Sequence, residues 1–451
     1  MSTGRDIEVD PDDPSAQPWI DSPQQSGEWL AMTRGVEAHM RPLCMAARLL
    51  PAMTAENAAS ERRRMVAELS SGGDPLPRWE LPAVQLPASG FRVLDALRRA
   101  VEPLPFAQLY LDRFDELELD LALLEALGDG RRVRPLSARR FGHGGMALPA
   151  PTRCGATTLS QYADAVLAAD PPQRGPRVLP AEARRGEPSM VALVRRLATG
   201  VGLDVEVRVD PNLVAGAATG DRTVFLADRD FGALEARRLA THEVLGHLVS
   251  AANGRAQPLR LLEWGTAGAF GDQEGLSLYM EAVHGLMDSA RLRTLAARVV
   301  AADMMHRGAS FAQTAKRLWR EHDFEACEAV AISERAFRGG GVARDVAYLQ
   351  GFLRVGEAVR SGRATLGELC SGRLSIDALP TVRRLREVGL ARRPCFLPRL
   401  SDRAFEGFPE PSAAEAAVVP IGPASLCDPR GATQARAAQS DSEYSATAVS
   451  P

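Results

Sequence analysis

His242-Glu243-Val244-Leu245-Gly246-His247 is where the chain carries its clearest chemistry. Only seven histidines occur in 451 residues, and two of them lie here, five positions apart, with an acid directly after the first. Two imidazoles and one carboxylate make a zinc-binding set that keeps one coordination position open for water. A further carboxylate beside the ion is then placed to take that water's proton. On an ideal α-helix a five-residue step turns the side chain by about 140°, too far for both rings to reach one ion. The spacing is therefore either accidental or a sign of local unwinding. A π-helical turn, with about 4.4 residues per turn, reduces the angle to roughly 50°, and Gly246 sits where such a distortion is tolerated. Glu243 precedes His247 by four positions and shares its face. The reading is a bulged helix that carries His242 and His247 as ligands and Glu243 as the base.

The third ligand has to come from a second helix, and Glu274, in Gln273-Glu274-Gly275-Leu276-Ser277, is the candidate. Glu281 lies seven positions on, on the same face, where it would orient a ligand by hydrogen bonding. Between the two helices Asn253-Gly254 is a strong turn signal and is expected to end the first one. Ahead of the motif, Asp204–Val209 alternates as a half-buried strand does, and Arg222–Ala227 reads as a second strand after a Gly- and Ala-rich turn. The fold class is α+β: mostly helical and zincin-like, with a small sheet before the metal-binding helix. The edge of such a sheet can pair with an extended peptide.

The order Thr241-His242-Glu243-x-x-x-His247, then Asn253-Gly254-Arg255-Ala256-Gln257-Pro258-Leu259-Arg260-Leu261-Leu262, then Gln273-Glu274-Gly275-Leu276, resembles a known family. It is that of the bacterial proteins named for a QEGLA motif (flavohemoglobin expression-modulating). They are similar in turn to the microtubule-associated tyrosine carboxypeptidases of animals. The likeness runs from about residue 20 to 400 and is strongest between 203 and 352. It implies that His242, His247 and Glu274 hold one zinc ion and that Glu243 is the catalytic base. Ser277 replaces the family's alanine, small for small. The His-Glu-x-x-x-His hexapeptide is also similar in style to that of dipeptidyl peptidase III, but the second motif does not fit that family and the chain is much shorter. Where the resembling family has Thr-Lys-Asp, this chain has Ala343-Arg344-Asp345, which keeps the charge and changes the donor geometry. A carboxypeptidase needs a cation for the substrate's terminal carboxylate, and arginine grips one bidentately. Arg335, Arg338 and Arg344 are candidates for that task, and Tyr348 is a candidate hydrogen-bond donor to the oxyanion. Arginine pairs on a helix surface, with Tyr348 in the core, are the plain structural alternative.

The remaining sequence sets bounds. A net charge of −3 gives no footprint for nucleic acid or a membrane surface. Lys316 is the sole lysine against 53 arginines, so a single arginine is weak evidence of function. Six scattered cysteines without a Cys-x-x-Cys pair argue against a disulfide framework. No signal peptide or apolar span is legible, so a cytoplasmic location is expected. Helical periodicity is read over 29–50 with a kink at Pro42, and over 54–69, 91–101, 106–127, 159–168, 188–199, 273–287, 289–305 and 311–321. Residues 1–26 read as a disordered lead-in, 27–157 as an N-terminal helical region, 158–402 as the catalytic region and 403–451 as a flexible tail. Acids at 112, 115, 116, 118 and 120 are expected to form a solvated face. Residues 128–157 read as connection, with His143 in a loop. The expected function is that of a zinc-dependent carboxypeptidase that acts on the C-terminus of a peptide or protein, the departing residue aromatic by analogy. One alternative is a metal-binding regulatory protein without turnover, which a fourth protein ligand from Asp272 or Glu281 would favour. Another is an endopeptidase or dipeptidyl peptidase with the same zinc site. Oligomeric state is not legible.

Overall fold

The computed structural model describes residues 23–411 except 85, 88, 153, 170–176, 183–187, 212, 214 and 402. Alternating side chains bury Val207 on strand β2 (Glu206–Asp210) and Val224 and Leu226 on β4 (Thr223–Ala227), which pair in parallel. The Gly- and Ala-rich stretch between them was expected to be only a turn, yet it holds a third strand, β3 (Ala217–Thr219), antiparallel to β4 and at the edge of the order β2-β4-β3. Its small residues carry no alternation of large side chains, which is why the sequence pattern hides it. A separate two-stranded ladder pairs β1 (Arg177–Leu179) with β5 (Phe231–Gly232). Backbone bonds from Ala227 N to Gly216 O and from Gly220 N to Thr223 O fix the hairpin register, with Ala218 opposite Phe225. Paired residues of an antiparallel ladder alternate in whether they bond across it. Ala217 and Thr219 therefore turn their N–H and C=O groups away from β4, along the sheet edge.

Helices dominate the rest. Those that matter for the site are α1 (Pro23–Ala46), α2 (Ala107–Ala126), α3 (Gly130–Phe141) and α4 (Ala233–Thr241), the last continued by a π-helical turn (His242–Leu248) and α5 (Val249–Ala256). After them come α6 (Ala269–Val283), α7 (Ser289–His306), α8 (Ala326–Phe337) and α9 (Val346–Arg360). Together with the short strands they make a mostly helical α+β fold. No helix among the described residues is long and apolar enough to cross a membrane.

Two large cores meet at α6. Leu276 and Met280 pack into one with Trp29, Met40, Phe114, Leu226 and Leu245, whereas Leu278 and Ala282 pack into the other with Tyr162, Leu295, Val330 and Phe352. A helix apolar on opposite sides is buried by its neighbours. Helix α9 crosses α6 so closely that a Cβ on Gly275 would lie 2.2 Å from the Gly351 carbonyl carbon, and one on Gly351 would lie 1.9 Å from Gly271 O. Gly275 of the second motif is thus a packing requirement. We expect Gly351→Ala to destabilise the protein by roughly 1–3 kcal/mol, because the added methyl meets backbone that cannot move aside. Denaturant unfolding checks this, and an unchanged midpoint would show that the two helices have room to part.

Several expectations need correction. Residues 128–157 are not simply connection, since α3 occupies 130–141 with Asp129 as its N-cap. Asn253-Gly254 does not end a helix but lies inside α5. Asn253 is buried and clamps a distant segment, donating to Cys370 O and Phe396 O and accepting from the amides of Cys395 and Phe396. A Cβ at Gly254 would sit 2.7 Å from Leu262 O, so the glycine serves close packing. The helix read from residue 29 begins earlier, at Pro23, and α1 runs through Pro42 to Ala46. Ala404 and Phe408 join the first core, and Arg237 donates to Pro409 O at 3.0 Å. Residues 1–22 of the expected lead-in and 412–451 of the expected tail lie outside the described residues.

Candidate metal centre and its cavity

The π-helical turn is present over His242–Leu248, and it does what the five-residue spacing requires. The two imidazole rings stand 5.0 Å apart, centroid to centroid. Glu274, on α6, brings Oε2 to 3.4 Å from His242 Nε2 and to 3.5 Å from His247 Nε2. Candidate ligand atoms of all three lie within 4.8 Å of one another. Two atoms bound to a tetrahedral ion at ~2.0–2.1 Å are about 3.4 Å apart, so these separations match a shared ion. They are too long for good hydrogen bonds, and Glu274 Oε2 is buried with no hydrogen-bond partner. A cation would satisfy that oxygen. The residues present fit a metal ion.

Gly246 has a second reason to be there. A Cβ on it would lie 1.9 Å from Ser277 Oγ and 2.7 Å from Ser277 Cα. The missing side chain lets α6 approach the π turn and deliver Glu274. Ser277 Oγ sits 3.4 Å from His247 Nε2 and donates to Gln273 O at 3.0 Å. Gln273 in turn donates to the carbonyls of Leu369 and Leu374. Its role is to anchor α6.

Glu281 takes the orienting position expected of it. His242 Nδ1 and Glu281 Oε1 are 2.7 Å apart, which turns Nε2 toward the ligand cluster. Glu281 is itself held by Arg291 at 3.0 and 3.1 Å. Burial works against a charged His242, but its contacts with Glu274 and Glu281 outweigh that and push the metal-free ring up to about 10. Burial likewise opposes charge on Glu274, and the two imidazoles hold it well below the usual carboxylate range. Neither Asp272 nor Glu281 supplies a fourth ligand. Asp272 is engaged by Arg354 and the Ile376 amide.

Glu243 is buried, and its Oε2 accepts from Thr219 Oγ1 at 2.8 Å. Thr219 belongs to the unforeseen strand β3, and nothing in its local sequence marked it. His242, Glu243, His247 and Glu274 line a cavity of about 620 Å³ together with Ala217, Ala218 and Thr219. Arg335, Arg338, Arg344 and Tyr348 line the same cavity, so the structure gathers all eight residues singled out from sequence. Tyr348 is partly buried, and burial together with nearby Glu274 raises its phenol above the ordinary value, keeping it protonated at neutral pH. Asp345, missed as a functional candidate, is the acid the arginines share. Arg335 bonds to it directly, Arg298 lies at 3.3 Å and Arg338 at 3.8 Å.

The acidic face of α2 departs from expectation. Asp112, Asp115 and Glu118 are exposed, but Asp120 is buried and Glu116 lines the cavity. Arg140 bonds Glu116 at 2.8 Å and Asp120 at 2.6 Å, and Glu116 also accepts from the Gly268 amide. These two acids pin α2 to α3 and to the start of α6.

A family model described as Microtubule-associated tyrosine carboxypeptidase matches residues 70–406. The chain belongs to that family. No curated protein and no solved structure matches it. The span matched to the tyrosine carboxypeptidase family holds the whole candidate centre and every residue of the cavity wall discussed above. It leaves out α1, although Trp29 and Met40 of that helix belong to the same core as Leu245 and Leu248 of the π turn.

Proposed function

We propose that this protein is a zinc-dependent carboxypeptidase with a zincin-like centre, acting on the C-terminus of a peptide or protein. One observation carries the reading: an open three-ligand centre with a buried acid beside it shares its cavity with Arg335, Arg338 and Arg344. An endopeptidase has no need of such cations, whereas a carboxypeptidase must neutralise the terminal carboxylate. Membership of a family described as carboxypeptidases supports the same conclusion.

His242, His247 and Glu274 would hold the ion, and two nitrogens with one oxygen suit zinc. When bound, that ion supplies Lewis acidity toward a carbonyl oxygen and lowers the pKa of a water toward ~7. The chain's own residues do the rest. Glu243, its carboxylate fixed by Thr219, accepts the water's proton and returns it to the departing amine. Tyr348 donates its phenolic hydrogen bond to the carbonyl oxygen as negative charge develops there. The free edge at Ala217 and Thr219 bonds the extended substrate backbone ahead of the scissile bond. Arg338 and Arg344 receive the terminal carboxylate, and Arg335, locked to Asp345, frames that pocket. The absence of a fourth protein ligand among the described residues disfavours a purely structural metal.

Peptides with free and amidated C-termini test this directly. Amidation should lower kcat/KM by roughly 10-fold or more, since it removes a charge-assisted contact of about 1.5–3 kcal/mol. Arg338→Gln with Arg344→Gln should erase most of that difference. Equal turnover of free and amidated peptides by the wild-type protein would end the carboxypeptidase assignment in favour of an endopeptidase.

A further inference from the structure

Glu37 is a buried acid that the proposed chemistry does not use. It sits on α1 and is 2% exposed, and Val36 and Met40 on the same helix belong to the first core. A carboxyl group withdrawn from water into such surroundings is costly unless its oxygens are bonded. Glu37 Oε1 accepts from Tyr110 Oη at 2.9 Å and from Leu261 N at 3.0 Å. Leu261 opens the short helix Leu261–Trp264, and its amide is one of the donors that the start of a helix leaves without an internal acceptor. Glu37 supplies that acceptor from 224 positions away in the sequence.

What that amide anchors is a wall of the cavity. Trp264, Gly265 and Thr266 line it together with Arg373. Leu262 O accepts from Arg373 N at 2.8 Å, Thr266 N donates to Arg373 O at 3.1 Å, and Thr266 Oγ1 accepts from Ser375 N at 2.9 Å. The two segments are thereby bonded into one piece. Arg373 comes within 3.6 Å of Asp221, in the turn between β3 and β4. The wall therefore stands beside the hairpin whose edge strand, at Ala217 and Thr219, lines the same cavity. We infer that Glu37 is a positioning residue: from behind, it holds the Trp264–Thr266 wall against the substrate residues that pair with β3 ahead of the scissile bond. The inference rests on the carboxypeptidase reading and adds a second side to the substrate channel. It also gives α1, which lies outside the span matched to the family, a part in substrate binding.

Dependence on peptide length tests this. Zinc-loaded wild type, Glu37→Leu and Glu37→Gln are compared on an N-acetylated dipeptide and an N-acetylated hexapeptide that end in the same two residues. Wild type should show the lower KM for the hexapeptide. Glu37→Leu leaves Leu261 N without its acceptor and should raise the hexapeptide KM roughly 10-fold, with kcat and the dipeptide KM within about twofold of wild type. Glu37→Gln keeps an acceptor oxygen and should recover most of the hexapeptide KM. The readout is the ratio between the two peptides, which a general loss of folded protein does not change. Should Glu37→Leu fail to fold, Glu37→Asp, shorter by one methylene, is read by the same ratio. Equal losses on both peptides, or a hexapeptide KM that stays at the wild-type value, would overturn the inference and leave Glu37 a packing residue alone. If wild type turns over the amidated hexapeptide as fast as the free one, it is the carboxypeptidase reading that fails, whatever the Glu37 variants do.

Discussion

Glu243→Gln is expected to keep its metal and to lose roughly 10²–10⁴-fold in kcat, the usual worth of a positioned acid–base group. Glutamine is nearly isosteric and still offers an oxygen to Thr219 Oγ1, so the π turn and the wall of the cavity should be preserved. What disappears is the proton acceptor. Substrate contacts are untouched, which puts the loss in kcat and leaves KM near its original value. Metal content by elemental analysis, set beside turnover of a susceptible peptide, separates this from a variant that merely sheds its ion. Undiminished turnover with metal retained would remove Glu243 from the mechanism. Thr219→Val offers a milder companion. It frees the carboxylate without deleting it, and a smaller loss in kcat is expected.

The centre was legible in sequence because its geometry is local. His242, Glu243 and His247 lie within one turn of the chain, and their five-residue spacing leaves few helical forms that let two rings converge. Glu274 was the candidate ligand on a second helix, and Glu281 followed from it by the seven-residue repeat of a single helix face. What stayed hidden comes from contacts between segments far apart in sequence. Thr219 reaches Glu243 only because β3 lies beside the π turn, and a strand of small residues leaves no alternation to read. Asp345 was read only as the last residue of Ala343-Arg344-Asp345, because its three arginine neighbours come from α7, the end of α8 and the turn after it. Glu116 and Asp120 shared a helix with exposed acids, and only the unexpected helix α3, through Arg140, separates them from that set. Gly246 was read as tolerating the distorted turn and Gly275 as a motif member, but each also makes room for a neighbouring helix that sequence periodicity cannot place.

Glu281→Ala is expected to cost about 3–5 kcal/mol of stability, since it leaves Arg291 buried and uncompensated. Glu281 has no exposed surface, and burial alone would raise its pKa. Arg291 and His242 reverse that and bring it down from 4.5 to about 2. A carboxyl whose folded pKa lies below its unfolded one contributes stability that is complete above about pH 4.5 and disappears as pH falls toward 2. The depression corresponds to roughly 3 kcal/mol, in line with the range expected from the mutation. The rise of metal-free His242 to about 10 draws on Glu274 as well as Glu281, and its Glu281 part is the same contact seen from its partner and is not added. Its sign is opposite: that contribution is complete below about pH 6.5 and is lost as pH rises through 10. Denaturant melts of metal-free wild type should therefore weaken steeply between pH 4.5 and 2, and Glu281→Ala should show a flatter profile over that interval. Glu281→Gln separates orientation from charge. Its amide oxygen can still accept from His242 Nδ1, but the imidazole becomes less basic, and metal affinity should fall about 10- to 100-fold. A metal titration of the glutamine variant that matches wild type would reduce Glu281 to a counter-ion for Arg291, with no hand in how His242 presents Nε2 to the ion.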